Sequence, residues 1–166
     1  MWVNEIKRCY KTLEPIIVHD KLIELYRQYL CIGGMPSCVK EFKKVHNDIL
    51  LYKSEFIESI ISAYIADISK YTLSNSEAIK IESVYNSIPK QLGKEDKKFQ
   101  YSLIKDKSTK SMYESSIDWL ISSNMICPNK LLEKIEKPLK PFESENIFKI
   151  YFSNIGTLTF MSNLAY

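Results

Sequence analysis

The sequence predicts a mainly α-helical protein, in which a helical subdomain over residues 1–72 precedes a winged-helix-like subdomain over residues 73–166 with a small β-hairpin. Three observations support this prediction. The chain of 166 residues contains only four glycines, whereas many-stranded β-proteins use glycine freely at turns and bulges. Apolar residues recur at helical spacing over most of the chain. The clearest β-type run, rich in β-branched and aromatic residues, comes late, at residues 147–152.

Residues 4–13 and 20–31 each carry an amphipathic pattern and predict the first two helices. Gly33 and Gly34 interrupt the second pattern, and Pro36 suits the first turn of a third, short helix. This segment therefore predicts a sharp corner between two helices, where glycine provides a positive φ. Two glycines offer few backbone donors for a phosphate, so a nucleotide-sensing role for the corner is the weaker alternative.

The strongest helical signal covers residues 47–70, where apolar residues follow each other in steps of four along two adjacent rows. Both rows fall on one face, which predicts a long helix buried along a stripe. Asp67 and Lys70 lie three residues apart on this helix, and we expect them to form an ion pair. A catalytic role for either residue would need a cleft and a perturbed pKa.

Ser74 and Glu77 have the spacing of a capping box and predict the start of another helix, which Pro89 is expected to end. Residues 93–98 form a charged, glycine-containing segment that predicts a surface loop, and a further helix is predicted over residues 109–124. Helices followed by a small hairpin are the order of a winged helix, which is why we assign that fold to the second part.

Composition and motifs exclude several classes of function. No G-x-x-x-x-G-K-S/T or G-x-G-x-x-G pattern occurs, so the chain has no recognisable nucleotide-binding loop. The four cysteines include no C-x-x-C pair, and the two histidines lie far from each other. The acidic-x-lysine triplets fall in predicted helices or loops, not on strands beside a second carboxylate. We therefore expect no catalytic residue, metal or cofactor in this chain.

No apolar run reaches the roughly 18 residues that a membrane span needs, and the first residues lack a signal-peptide core. We expect a cytoplasmic protein without a membrane partner.

Several segments, in order along the chain, resemble the region that follows the ATPase core in prokaryotic and archaeal AAA family ATPases. The clearest are residues 29–36 (Y-L-C-I-G-G-M-P), 64–71 (Y-I-A-D-I-S-K-Y) and 148–156 (F-K-I-Y-F-S-N-I-G). The positions that carry the resemblance are Gly33, Gly34, Pro36, Asp67, Lys70, Pro89, Gln91, Phe99, Trp119, Pro138, Phe148, Tyr151 and Gly156. Asn154 departs from the pattern, because the family has an aspartate there.

The resemblance implies a parent protein with a P-loop ATPase core before this region and, in some relatives, a nuclease-like domain after it. ATP and Mg²⁺ would then belong to the parent ATPase and not to this chain, which we expect to be a middle fragment.

Lysines are concentrated in the second part. Residues 90–110 contain seven lysines and three acidic residues, a local charge of +4 against +3 for the whole chain. In a winged helix, one helix enters the major groove of DNA while flanking lysines contact phosphates. The candidate nucleic-acid-binding residues are therefore Lys94, Lys97, Lys98, Lys105, Lys107, Lys110 and Ser111.

The outer face of the predicted helix over residues 109–124 has no arginine and carries Glu114 and Asp118, so specific reading of bases is not favoured. A solvated lysine-rich loop explains the same residues. We expect a non-catalytic segment of an AAA+-type ATPase that links the ATPase core to DNA or to a partner protein. The alternative is a protein–protein interaction module that does not bind nucleic acid.

Overall fold

Helices predominate in the computed structural model, which describes residues 2–72 and 74–163. The helices are α1 (Trp2–Thr12), α2 (His19–Ile32), α3 (Pro36–Lys44), α4 (Glu55–Tyr71), α5 (Asn75–Leu92), α6 (Lys110–Ser122) and α7 (Ile155–Met161). The strands are β1 (Ile126–Leu132) and β2 (Glu143–Phe152), and short 3₁₀ helices occupy Tyr101–Leu103 and Lys140–Phe142. The mainly helical class and the small hairpin are confirmed.

The long helix predicted over residues 47–70 is shorter, because α4 begins only at Glu55. Asn47 has a positive φ of 61°, which no α-helix accommodates. The Asp48 carboxylate then accepts a hydrogen bond of 2.9 Å from the backbone N–H of Leu50. Such side-chain-to-backbone bonds compete with helical ones, so the chain turns before α4.

The start of α5 follows the prediction, since the Ser74 hydroxyl accepts a hydrogen bond from the backbone N–H of Glu77. The predicted end at Pro89 is wrong, because the helix continues to Leu92. Pro89 has no N–H to donate within the helix, but its carbonyl still accepts a hydrogen bond of 2.9 Å from the N–H of Gly93. The final turn is also held by burial of Gln91.

The two strands form an antiparallel sheet in which Ile126 pairs with Phe152 and Lys130 pairs with Phe148. The register shifts between Lys130 and Leu132. Phe99 lies along the other edge of β2, because its backbone N–H donates to the carbonyl of Phe148 at 2.9 Å. The rings of these two phenylalanines stack at 5.5 Å.

Helix α7 follows β2 directly, and Gly156 lies in its first turn. The Asn154 side chain caps this helix, because its Oδ1 accepts a hydrogen bond of 2.8 Å from the backbone N–H of Gly156. The Thr159 hydroxyl donates to the Leu30 carbonyl at 2.7 Å, which attaches α7 to α2.

The core includes side chains from both parts of the chain. Ile57, Ile61 and Ile68 of α4 belong to the same buried cluster as Ile81 and Ile88 of α5. A division near residue 72 stays a prediction. None of the helices in the described ranges combines the length and the apolar character of a membrane span.

Candidate functional site

The two glycine motifs, which are remote in the sequence, meet in the structure. Gly33 ends α2 with φ 73° and ψ −169°, a conformation that is essentially restricted to glycine, and Pro36 begins α3. A Cβ atom on Gly33 would overlap Oδ1 of Asn154, and one on Gly156 would lie 2.8 Å from the Gly33 nitrogen. The glycines thus allow the end of α2 to touch the start of α7.

Beside this contact lies a cleft of about 300 Å³, which we call the junction cleft. Its walls include Tyr29, Met35, Tyr64, Tyr85, Asn154 and Thr157. The resemblance motifs around residues 29–36, 64–71 and 148–156 therefore converge on one place.

Raised pKa values keep the hydroxyls of Tyr64 and Tyr85 protonated in the junction cleft. Burial raises the pKa of Tyr85 well above the ordinary value, and the nearby Tyr64 adds to the shift, while a hydrogen bond with Thr157 opposes it. Burial also raises the pKa of Tyr64. No carboxylate, lysine or histidine is among the lining residues, so the cleft offers hydrogen bonds and apolar contacts but no acid–base pair.

The seven candidate nucleic-acid-binding residues lie on three successive segments. Lys94, Lys97 and Lys98 follow α5, Lys105 and Lys107 precede α6, and Lys110 and Ser111 form its first turn. All are exposed except Lys98 and Lys110, which are half-buried. Lys110 Nζ lies 3.7 Å from a Glu114 carboxylate oxygen, so this cation is already matched by an anion.

The exposed face of α6 carries acidic groups. Tyr101 packs near this face, and its pKa is raised by burial and, in addition, by the charges of Glu114 and Asp118. An acidic surface repels phosphates, which places the lysine segments beside a face that disfavours DNA.

The predicted ion pair between Asp67 and Lys70 is absent from the ion pairs of the described residues. Lys70 Nζ instead lies 5.1 Å from the centre of the Tyr71 ring. A flexible lysine side chain on a helix can reach either neighbour, and the face of an aromatic ring attracts a cation. The pattern at spacing three did not determine which contact forms.

Other motif residues have packing positions. Trp119 is half-buried against the core cluster, and Pro138 follows a cis peptide bond in the loop between the strands. Gln91 is only 2% exposed, and its side-chain amide bonds to the backbone of Gln100.

Two apolar surfaces are exposed that the sequence pattern does not predict. On α2, the side chains of Leu25, Tyr26 and Tyr29 are 40%, 56% and 47% exposed, although the pattern predicts an amphipathic helix. The second surface is the outer face of the hairpin, where Ile147 and Tyr151 alternate with the inward Ile150. Apolar residues on both faces of a strand are the signal that could have revealed it.

The comparison with known families gives one match. Residues 23–166 match the family model described as a domain of unknown function (DUF8612). The chain belongs to this family. The match does not link the chain to AAA ATPases, and no curated protein and no solved structure matches it. Among the described residues, no group of histidine, cysteine and acidic side chains could hold a metal ion.

Proposed function

We propose that this member of the DUF8612 family is a non-catalytic coupling segment that docks onto protein, as part of an AAA+-type ATPase. The observation that supports the proposal most directly is the exposed apolar face of α2. In this helix, Ile32 is the one buried residue among fourteen, and the rings of Tyr26 and Tyr29 stack on the surface at 6.5 Å. Contiguous exposed apolar side chains are typical of interaction surfaces.

The groove between α2 and α3 extends this surface. It has a volume of about 540 Å³ and is lined by apolar residues such as Leu25, Val39 and Phe42. The ATPase core is the partner that the sequence resemblance implies. An ATPase core that covers this groove would bury the exposed apolar side chains of α2, and this burial would stabilise the complex.

The test begins with the gene. We expect an in-frame G-x-x-x-x-G-K-S/T motif upstream of the Met1 codon; its absence would contradict the AAA+ assignment. The P-loop region is then expressed separately, and its binding to this chain is measured by calorimetry. A double variant, Leu25→Asp with Tyr26→Asp, should weaken binding at least about tenfold, or about 1.4 kcal/mol.

Ile79→Asp is the matched control, because Ile79 is 63% exposed on α5, away from the α2 face. Equal loss of binding in both variants, or no binding by the wild-type chain, would contradict the coupling role. The purified chain alone should not hydrolyse ATP.

DNA binding is a second candidate function. It is supported by Lys94, Lys97, Lys105 and Lys107, which are exposed and belong to none of the ion pairs found in the described ranges. The order of the elements also supports it, because α5, the segment around Phe99 that lies along β2, α6 and the hairpin follow each other as in a winged helix. A salt titration with duplex DNA tests it, because phosphate contacts give a negative log–log slope.

The informative variant for DNA binding changes the four exposed lysines Lys94, Lys97, Lys105 and Lys107 to Glu. Loss of affinity with a smaller salt slope would support this second function. Absence of binding near 50 mM salt, a concentration at which phosphate contacts are strong, would exclude it.

A further inference from the structure

The outer face of the hairpin contains a groove of about 580 Å³, which lies outside both the α2 face and the junction cleft. We call it the hairpin groove. The residues that matter for its chemistry are Lys98, Leu131, Ile135, Ile147, Lys149 and Tyr151. It is contributed by both strands, by the loop between them and by the segment that precedes Phe99.

The hairpin groove is apolar and open to solvent. Ile135 is 89% exposed, Leu131 49%, Ile147 37% and Tyr151 36%. Ile147 and Tyr151 lie on one face of β2 because side chains alternate along a strand. Single exposed apolar residues are ordinary, but four that line one concavity form a surface suited to apolar ligands.

The unmatched charge in the hairpin groove is positive. Lys149 and the Lys98 side chain take part in none of the ion pairs among the described residues. Lys130, by contrast, lies 3.3 Å from Glu145 and 3.6 Å from Glu143, so its charge is already compensated. Asp96 is the acidic residue in the lining, and its carboxylate accepts the backbone N–H of Lys98 at 3.0 Å. This bond does not neutralise the carboxylate, so Lys98 and Lys149 minus Asp96 leave the lining with one net positive charge.

We propose that the hairpin groove binds an acidic amphipathic segment of a partner protein. The apolar side chains of that segment would cover Leu131, Ile135 and Ile147, and its carboxylates would face Lys98 and Lys149. This inference deepens the proposed function, because it rests on a docking role and adds the chemistry of a partner for the second half of the chain.

The lining favours a peptide over a nucleic acid. Nucleic-acid-binding grooves combine a continuous basic track with aromatic platforms on which bases stack. Here the exposed apolar surface is mainly aliphatic, and the unmatched charge is that of two lysines and one aspartate rather than a continuous basic track. Aliphatic side chains are stabilised by burial against apolar groups, which a sugar–phosphate backbone does not provide.

The test uses fluorescence anisotropy with the full chain and a fluorescein-labelled peptide that has leucine at helical spacing and glutamate elsewhere. A second peptide with lysine in place of each glutamate is the matched probe. We expect the acidic peptide to bind and the basic peptide to bind at least about tenfold more weakly. Affinity for the acidic peptide should also fall as salt is raised.

Two sets of variants separate the apolar and the charged contacts. The double variant Leu131→Ser with Ile147→Ser and the single variant Lys149→Glu should each weaken binding of the acidic peptide about tenfold. Ile79→Ser and Lys53→Glu are controls with exposed side chains on α5 and before α4, and they should leave affinity unchanged. Far-ultraviolet circular dichroism checks that every variant folds, and Lys149→Glu keeps the test valid if the serine variant does not.

Equal affinity for both peptides, or unchanged affinity in Lys149→Glu, would overturn the proposal. A second result would also overturn it: duplex DNA displaces the peptide, and its affinity falls in Lys149→Glu but not in the serine variant. The groove would then be a nucleic-acid site. The variant Leu25→Asp with Tyr26→Asp should retain peptide binding. If the α2 variant does not weaken binding of the P-loop region, only the coupling role is contradicted. If the hairpin variants do not weaken binding of the acidic peptide, only the hairpin groove proposal is contradicted.

Discussion

Gln91 holds the backbone of Gln100 through two hydrogen bonds that run in opposite directions. Its Nε2 donates to the Gln100 carbonyl, and its Oε1 accepts from the Gln100 N–H, each at 2.9 Å. One side-chain amide thus replaces the paired backbone bonds of a neighbouring strand. Since the loop with Lys94 and Lys98 lies between the two glutamines, this contact fixes both ends of the loop and places Phe99 against β2.

The first prediction concerns this contact. Gln91→Ala should lower the free energy of unfolding by about 2–3 kcal/mol, because two partly buried backbone groups lose their partners. Gln100→Ala is the matched control: the bonds use its backbone, so the change should stay within about 0.5 kcal/mol. Urea unfolding followed by circular dichroism measures both. Similar losses in the two variants would show that the amide contact is not the source of stability.

The second prediction uses adjacent glycines with different surroundings. Gly33→Ala should destabilise the protein by at least about 2 kcal/mol, because its backbone conformation is essentially glycine-only and the new Cβ would meet Asn154. At Gly34 the nearest atom to a new Cβ is 3.5 Å away, an ordinary contact. Gly34→Ala should therefore cause no loss and should add up to about 1 kcal/mol of stability. Thermal unfolding measures both variants: the midpoint should fall in Gly33→Ala and should not fall in Gly34→Ala.

The third prediction tests the cap of α5. Ser74→Ala should lower stability by about 1 kcal/mol, because the backbone N–H of Glu77 loses its acceptor. Ser76 lies in the first turn of the same helix and is exposed, so Ser76→Ala should cause no loss. An equal effect of both changes in chemical denaturation would contradict the capping role.

The fourth prediction concerns alkaline pH. In the unfolded chain Tyr85 ionises near pH 10, whereas burial raises its pKa in the folded protein. Above about pH 10 the unfolded state therefore binds fewer protons than the folded state, and stability falls by up to about 1.4 kcal/mol per pH unit for this group. Below about pH 10 the Tyr85 hydroxyl is protonated in both the folded and the unfolded state, so this titration does not change the free energy of unfolding at neutral pH.

Tyr85→Phe removes that titration. The variant should be about 1 kcal/mol less stable at neutral pH, since it loses the bond with Thr157, but its stability should fall less steeply above about pH 10. Tyr10→Phe serves as the control, because Tyr10 is 85% exposed. Parallel stability–pH curves for the wild type and Tyr85→Phe would contradict the assignment.

Local signals predicted some elements and failed at others for identifiable reasons. The start of α5 depends on Ser74 and the residues just after it, and the prediction was right. The early start given to α4 was wrong, because the apolar period outweighed the turn chemistry of Asn47 and Asp48. Helix α7 was missed since seven residues are too few to show a helical period, and its contact with Leu30 spans 129 positions.

The candidate sites also include features that the sequence shows and features that only the tertiary structure creates. The lysine series is visible in the sequence because charge is a property of composition, but Lys110 is matched by Glu114 only once the helix has formed. The apolar side chains of the α2 face and of the hairpin groove are ordinary residues, and nothing in the sequence around them shows that they stay uncovered. Their exposure is a consequence of where other segments pack.

The sequence by itself determined the helical class, the corner at Gly33 and Gly34 and the late hairpin, because each depends on residues close together in the chain. The tertiary structure decided that Gly33 meets Gly156, that Gln91 holds Gln100, and that Leu25 and Ile135 stay exposed. Contacts between remote segments bury some apolar side chains and leave others uncovered, and no local pattern encodes that choice.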